Sequence, residues 1–210
     1  MMPIMDGIEL CKKVKEDICT CHIPLILLTA KDTLEDKVEG YASGADSYIT
    51  KPFSAKLLQS RITNIIESRK RIARLINNSN HDQELQKQEA INSLNKLDNE
   101  FINKITKIIE ENLDTEKMDI GFIADKMCMS HSTLYRKIKG LTDMSANEFI
   151  RKIKMQNGER LLLKGEQSIS EISYMIGFSS VAYFRQCFKD EYGMSPSEYL
   201  KKMTTKTDQM

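Results

Sequence analysis

Two rows of side chains carry the chemistry this sequence offers. Ala182, Arg185, Gln186 and Lys189 fall on one face of the segment after Ser180, and Ser132, Tyr135, Arg136 and Lys139 fall on one face of the segment after Ser130. Arg and Gln present paired hydrogen-bonding groups that match guanine and adenine edges in a major groove. A lysine is a point charge suited to phosphate. For either segment by itself the bland alternative is a helical hairpin with a solvated polar face. Enzyme chemistry has no comparable support: His22, His81 and His131 are scattered, and none joins a carboxylate in a nucleophile–base constellation. Cys19-Thr20-Cys21-His22 holds two thiols and an imidazole, yet no second cluster completes a metal site. The expectation is a chain with no catalytic residues, no metal, no cofactor and no small-molecule substrate.

Elements that would position the two rows can be read around them. Ser168 with Glu171 has capping-box spacing, and Ile169, Ile172 and Ile176 follow as one apolar helical face. Gly177 ends that helix where a left-handed residue is cheapest, and Phe178 can plug the angle. Ser179 or Ser180 starts a second helix with Phe184 and Phe188 inward, and Gly193 and Pro196 end the element. The pattern repeats upstream. Ile120, Ile123, Ala124 and Met127 make an apolar face, Cys128-Met129-Ser130 a turn, and His131 to Gly140 a second helix with Leu134 and Ile138 inward. The turns are about 50 residues apart, a repeated helix-turn-helix unit. Ser145 to Lys164 between them is long enough for one rigid helix that spaces two readers.

Residues about 98 to 203 resemble the DNA-binding domain of AraC-type transcription regulators, through IADKMCMSHSTLYRKIKGLTDMSANEFIRKIKMQNGERLLL and IGFSSVAYFRQCFKDEYGMSPSEYL. The resemblance implies a seven-helix domain with two helix-turn-helix units in adjacent major grooves of double-stranded DNA. Carried over by position, the base-facing candidates are Ser132, Tyr135 and Arg136 on the first reader and Val181, Ala182, Arg185 and Gln186 on the second. Val181 and Ala182 stand where relatives often carry polar residues, and both suit a thymine methyl.

Upstream, Pro3 and Gly7 mark a loop, Ile8 to Asp17 reads as a helix, and the apolar run Ile23 to Ala30 as a buried parallel strand. Leu34 to Ser43 is a second helix, Ala45 to Thr50 a second strand, and Ser54 caps a third helix from Ala55. The alternation predicts a wound βα unit. MMPIMDG, IPLILLTA and GADSYITKPF resemble the C-terminal part of a response-regulator receiver domain, a flavodoxin-like remnant of about 70 residues. In that family the phosphorylated aspartate precedes the position of Met1 by two residues and the magnesium-binding acidic pair lies on the first strand. Neither is in this chain, so no phospho-acceptor is expected here and magnesium would bind only in a complete receiver. By position, Thr29 senses the phosphoryl group, Tyr48 rotates with it, Lys51 pairs with it, and Pro52 follows a cis bond. Of a sheet ordered 2-1-3-4-5, only strands four and five remain, leaving an apolar edge. The chain therefore reads as the C-terminal part of a longer protein or a truncated gene product. The residues around Ala30-Lys31-Asp32 look like those of receivers fused to sensor kinases, so an upstream histidine kinase module is expected in the complete protein.

The chain has 210 residues and a net charge of +1, so it is no polycation as a whole. From Ser130 to Lys164, Arg136, Lys137, Lys139, Arg151, Lys152, Lys154, Arg160 and Lys164 outnumber Asp143, Glu148 and Glu159, which suggests a basic stripe for phosphates. Leu58, Ile62, Ile65, Ile72 and Ile76, with Arg69 in one slot, form a short heptad seam that either makes a homodimer or faces the receiver core. The five cysteines fit reduced thiols in the cytoplasm, although a parent fused to a sensor kinase can be membrane-anchored. No signal peptide and no run of about 20 apolar residues is present. The expected organisation is mixed: a partial α/β receiver over 1–70, a helical and polar linker over 71–97, an all-α double helix-turn-helix domain over 98–203, and a disordered tail over 204–210. The functional reading is a sequence-specific transcription regulator, the output half of a two-component phosphorelay. The rival is a phosphorelay protein whose helical domain binds a protein partner.

Overall fold

The computed structural model describes residues 4–77, 89, 91–92, 94–114 and 118–207. The chain divides into two compact units. One comprises residues 1–78, 85–101 and 136–143, the other residues 79–84, 102–135 and 144–210.

The first unit holds a small α/β element. Helix α1 (Gly7–Glu16) starts on Asp6, whose carboxylate accepts from the amides of Ile8 and Glu9, each at 2.8 Å. Strands β1 (Ile26–Thr29) and β2 (Ser47–Thr50) pair in parallel, Ile26 opposite Ser47 and Thr29 opposite Thr50. Helix α2 (Leu34–Ala42) makes the crossover, and α3 (Ala55–Ile76) starts on the Ser54 hydroxyl. Cys11, Leu27, Ala45 and Tyr48 form the buried core beneath the strands. Asp46 ties three elements together: it accepts from Lys15 Nζ at 2.7 Å, Arg69 Nη2 at 3.1 Å and the Leu25 amide at 2.9 Å. Burial opposes its charge, but the Lys15 and Leu25 hydrogen bonds outweigh that and lower its pKa.

Burial along β1 departs from the expectation of a strand covered on both faces. Pairing covers only Ile26–Thr29, and Leu27 is 8% exposed while Leu28 is 41% exposed. Successive side chains leave a strand on opposite faces, and the opening is confined to β1, since Ile49, the β2 partner of Leu28, is 4% exposed. The expected boundary at residue 70 falls inside α3, which runs unbroken to Ile76. Its heptad seam is divided: Ile62 is 43% exposed, Leu58, Ile65 and Ile72 are half-buried, and Ile76 is buried. Of the expected linker, residues 78–88, 90 and 93 lie outside the described residues.

The remaining elements are helical. They are α4 (Lys96–Glu110), α5 (Ile120–Met127), α6 (His131–Thr142), α7 (Ala146–Lys164), α8 (Ile169–Met175), α9 (Val181–Tyr192) and α10 (Pro196–Thr207). Helices α4 and α6 contribute residues to both units. The mixed class expected from the sequence is what forms. Helix α7 is a single rod of 19 residues, closed by a Ser145–Glu148 capping box and by Gly165 in the left-handed conformation; at 1.5 Å per residue it spans about 28 Å. Phe178 in the turn after α8, Phe184 and Phe188 on α9, and Tyr199 on α10 stack edge to face at 5.5–5.8 Å. Buried Glu159 of α7 accepts from the Tyr192 hydroxyl at 2.9 Å and from the Tyr199 hydroxyl. Helix α10 reaches Thr207, so residues 204–207 extend a helix where a disordered tail was expected. The Thr204 hydroxyl bonds back to the Leu200 and Lys201 carbonyls, satisfying it inside the helix.

Candidate nucleic-acid interface

The two helix-turn-helix units are built by the same local devices. In the second, the Ser168–Glu171 capping box forms with bonds of 2.7 and 3.2 Å, Gly177 takes φ +72°, and Ser180 caps α9. Phe178 is buried against Phe184, filling the angle between the helices. In the first, Asp119 caps α5 through a 2.8 Å bond from the Phe122 amide. Cys128 takes the left-handed position, φ 53°. A side chain there costs about 1–2 kcal/mol that glycine avoids, so the first turn is the more strained of the two.

Each second helix buries one face and opens the other. On α6, Leu134 and Ile138 are buried while Ser132, Tyr135, Arg136 and Lys139 are exposed. On α9, Phe184, Cys187 and Phe188 are buried while Ala182, Arg185, Gln186 and Lys189 are exposed and Val181 is half-covered. Gln186 Nε2 donates to Asp190 Oδ1 at 2.7 Å, one turn along, which orients its amide.

The basic stripe is smaller than the residue count suggested. Lys137, Lys152 and Lys154 are buried, because their positions face the packed side of their helices rather than the open one. Lys152 pairs with Glu191 at 2.6 Å. Lys154 donates to the Gly177 carbonyl at 3.3 Å, and burial lowers its pKa. Arg160 pairs with Glu110 at 3.2 Å.

Sequence reasoning missed one buried polar cluster entirely. Lys137 is fully buried; its Nζ lies 2.5 Å from Asp98 Oδ1 and 3.1 Å from Cys21 Sγ, and Cys21 Sγ lies 3.2 Å from the same carboxylate oxygen. Burial is the main cause of a raised Cys21 pKa. Neighbouring His22 is held neutral: burial, then the Lys137 charge, lowers its pKa to about 4. A signal for Lys137 existed, since Leu134, Lys137, Ile138 and Leu141 recur at helical spacing on one face. Nothing in the sequence pairs it with residues 39 and 116 positions away.

At the receiver positions, Thr29 and Thr50 are directly paired across the strands. The Thr29 hydroxyl accepts from the Lys31 amide at 3.1 Å, and the Tyr48 hydroxyl donates to the Lys31 carbonyl at 3.0 Å. Tyr48 is therefore turned inward, while Lys51 is exposed ahead of a cis Lys51–Pro52 bond. Among the described residues no group of three metal-ligating side chains occurs.

Residues 1–63 match the Response regulator receiver domain family and residues 123–202 match a Helix-turn-helix domain family. The chain is a receiver segment joined to an AraC-type helix-turn-helix domain. It is 40% identical over 199 residues to histidine kinase P4 of Formosa agariphila, covering 95% of this chain and 14% of that protein. The receiver segment is 50% identical over 66 residues to the transcriptional regulatory protein YclJ of Bacillus subtilis, 31% of this chain and 28% of that one. The chain thus spans less than a third of either relative's length. The C-terminal domain of AraT, a response regulator from Geobacillus stearothermophilus, is similar at 27% identity and a TM-score of 0.45, covering 48% of this chain and 84% of that domain.

Proposed function

We propose that this receiver–AraC-type chain is the output half of a two-component response regulator and reads double-stranded DNA with α6 and α9. The observation that carries the reading is the pair of matching exposed rows, Ser132, Tyr135, Arg136 and Lys139 on one helix and Ala182, Arg185, Gln186 and Lys189 on the other. Arg136, Arg185 and Gln186 take base edges, Ser132 and Tyr135 support the first contact, and Val181 and Ala182 meet thymine methyls. Lys139 and Lys189, farther along their helices, take phosphates. Thr29, Tyr48 and Lys51 act as the receiver's switch residues only when the phosphorylated aspartate of a complete receiver is present, where magnesium would also bind. The relative named a histidine kinase supports a kinase module upstream in the complete protein. Among the described residues no helix is long and apolar enough to cross a membrane; a cytoplasmic setting for this part of the protein is supported by the free state of all five cysteines.

The test is selection from a randomised DNA pool at two salt concentrations. Arg136→Ala and Gln186→Ala are each expected to lose about 1–3 kcal/mol of base discrimination, in opposite halves of the site. Lys189→Ala is expected to weaken binding to all sequences alike and to flatten the salt dependence by about one unit. If both reader variants keep the selected motif and change only the salt slope, the helices clamp the backbone and the base-reading assignment fails.

Self-association follows from the outward part of α3. Leu57, Ile62 and Ile66 are exposed there, an apolar surface along one helix. We propose that it pairs with its copy in a homodimer through the exposed stretch of the seam around Ile62, the buried end at Ile76 staying within the chain. Replacing Ile62 and Ile65 with Asp should shift sedimentation toward monomer. A starting protein already monomeric at tens of micromolar rules the seam out.

A further inference from the structure

Within the first unit, the turn between α1 and β1 meets the inner side of α6. Asp17 winds this turn: its carboxylate accepts from the Cys19 amide at 2.9 Å and the Thr20 hydroxyl at 3.1 Å, and its carbonyl accepts from the Cys21 amide at 2.8 Å. The turn thereby presents Cys21 to Lys137 and Asp98, and His22 to Gly140. A Cβ added at Gly140 would lie 2.8 Å from His22 Cδ2, so the imidazole occupies the space a side chain would fill. Arg69 Nη1 donates to the His22 carbonyl at 2.5 Å and fixes the turn from behind. Beside it, Asn77 Nδ2 donates to the Thr142 carbonyl at the end of α6, at 2.6 Å.

Charge balance does not require this contact. Lys137 already has its counter-ion in Asp98, which belongs to α4. What the turn contributes is a neutral thiol on the ammonium and a neutral ring fitted against the one glycine in α6. Those are features of a fitted docking contact, in which shape selects the partner and the buried ion pair supplies a polar anchor.

We infer that residues 17–24 are a docking element through which the receiver segment holds the inner side of the first reading helix. Gly140 is the specificity residue of that contact, since any larger side chain meets His22. The consequence for DNA, which rests on the reading proposed above, is that a receiver change moving this turn acts on the α6 half-site and leaves the α9 half-site alone.

The experiment uses the whole chain with Gly140→Ala, His22→Ala and the double variant. Alanine is the better helix former, so the single change should not harm α6 itself. Amide exchange over residues 17–24 should accelerate at least about tenfold in Gly140→Ala as the docked turn opens. Adding His22→Ala removes the clash and should restore protection to within about threefold of the parent. Unchanged exchange in Gly140→Ala overturns the docking, as does failure of His22→Ala to correct it. The DNA arm measures both half-sites. Gly140→Ala should change affinity for the α6 half-site by about fivefold or more and His22→Ala should reverse it, as expected of two residues in contact. Equal effects on both halves, or none on either, overturn the coupling. Should the parent bind no DNA, the reading of function fails, while exchange still decides the docking.

Discussion

Asp98→Ala is expected to cost about 3–5 kcal/mol, because it leaves the fully buried Lys137 ammonium without its counter-ion. The thiol of Cys21 is a weak hydrogen-bonding partner and offers no charge to replace the carboxylate. Phe101, whose ring centroid lies 4.9 Å from Nζ, adds a cation–π contact that keeps the lysine in place rather than letting it reach water. Urea unfolding of the whole chain, followed by a probe in residues 1–78, measures the loss. The control is Asp98→Leu with Lys137→Met, which removes both charges. Buried pairs replaced by apolar residues of similar volume are often neutral or better, so the double variant should recover most of the loss. A cost below about 1 kcal/mol for Asp98→Ala would mean the pair behaves like an exposed one, and the burial argument would be wrong.

Gly177→Ala carries the second large effect. Two penalties meet at this residue. Its φ of +72° costs a side chain about 1–2 kcal/mol. An added Cβ would also lie 2.2 Å from the Leu113 carbonyl oxygen, a backbone atom, and 2.7 Å from Lys154 Nζ; overpacking of this kind costs about 1–3 kcal/mol. The sum is roughly 2–5 kcal/mol, and Lys154 loses its place against the Gly177 carbonyl as well. Gly177→Asn separates the two terms. Asparagine tolerates the left-handed conformation but keeps the Cβ, so it should stay close to alanine if the backbone clash dominates. Full recovery with asparagine would assign the cost to φ alone. Thermal unfolding of both variants checks this.

The local architecture of the helix-turn-helix units was legible because its determinants are local. Ser168 with Glu171, Gly177, Phe178 and Phe184 lie within seventeen residues of one another, and capping, left-handed turns and a 3.6-residue apolar period act over that range. The exposed rows on α6 and α9 followed from the same periodicity. Counting bases did worse. Lys137, Lys152 and Lys154 looked like a DNA-facing stripe, yet all three are buried, and composition does not say which side of a helix a charge leaves from.

The sequence by itself determined which elements form, where they cap and turn, and which helix faces are open. It also indicated a parallel strand pair, read as Ile23–Ala30 and Ala45–Thr50 where Ile26–Thr29 and Ser47–Thr50 pair, although not that Leu28 would stand exposed. Tertiary structure decided the partners of buried polar groups: Asp98 with Lys137 and Cys21, Glu159 with Tyr192 and Tyr199, Asp46 with Lys15 and Arg69. It also decided that the backbone carbonyl of Leu113 lies against Gly177 and that His22 lies against Gly140. The reason is physical. A cap or a helical period is set by dihedral angles and neighbours a few residues away, whereas a buried charge takes whichever partner the folded chain brings within about 3 Å, and sequence separation carries no record of that distance.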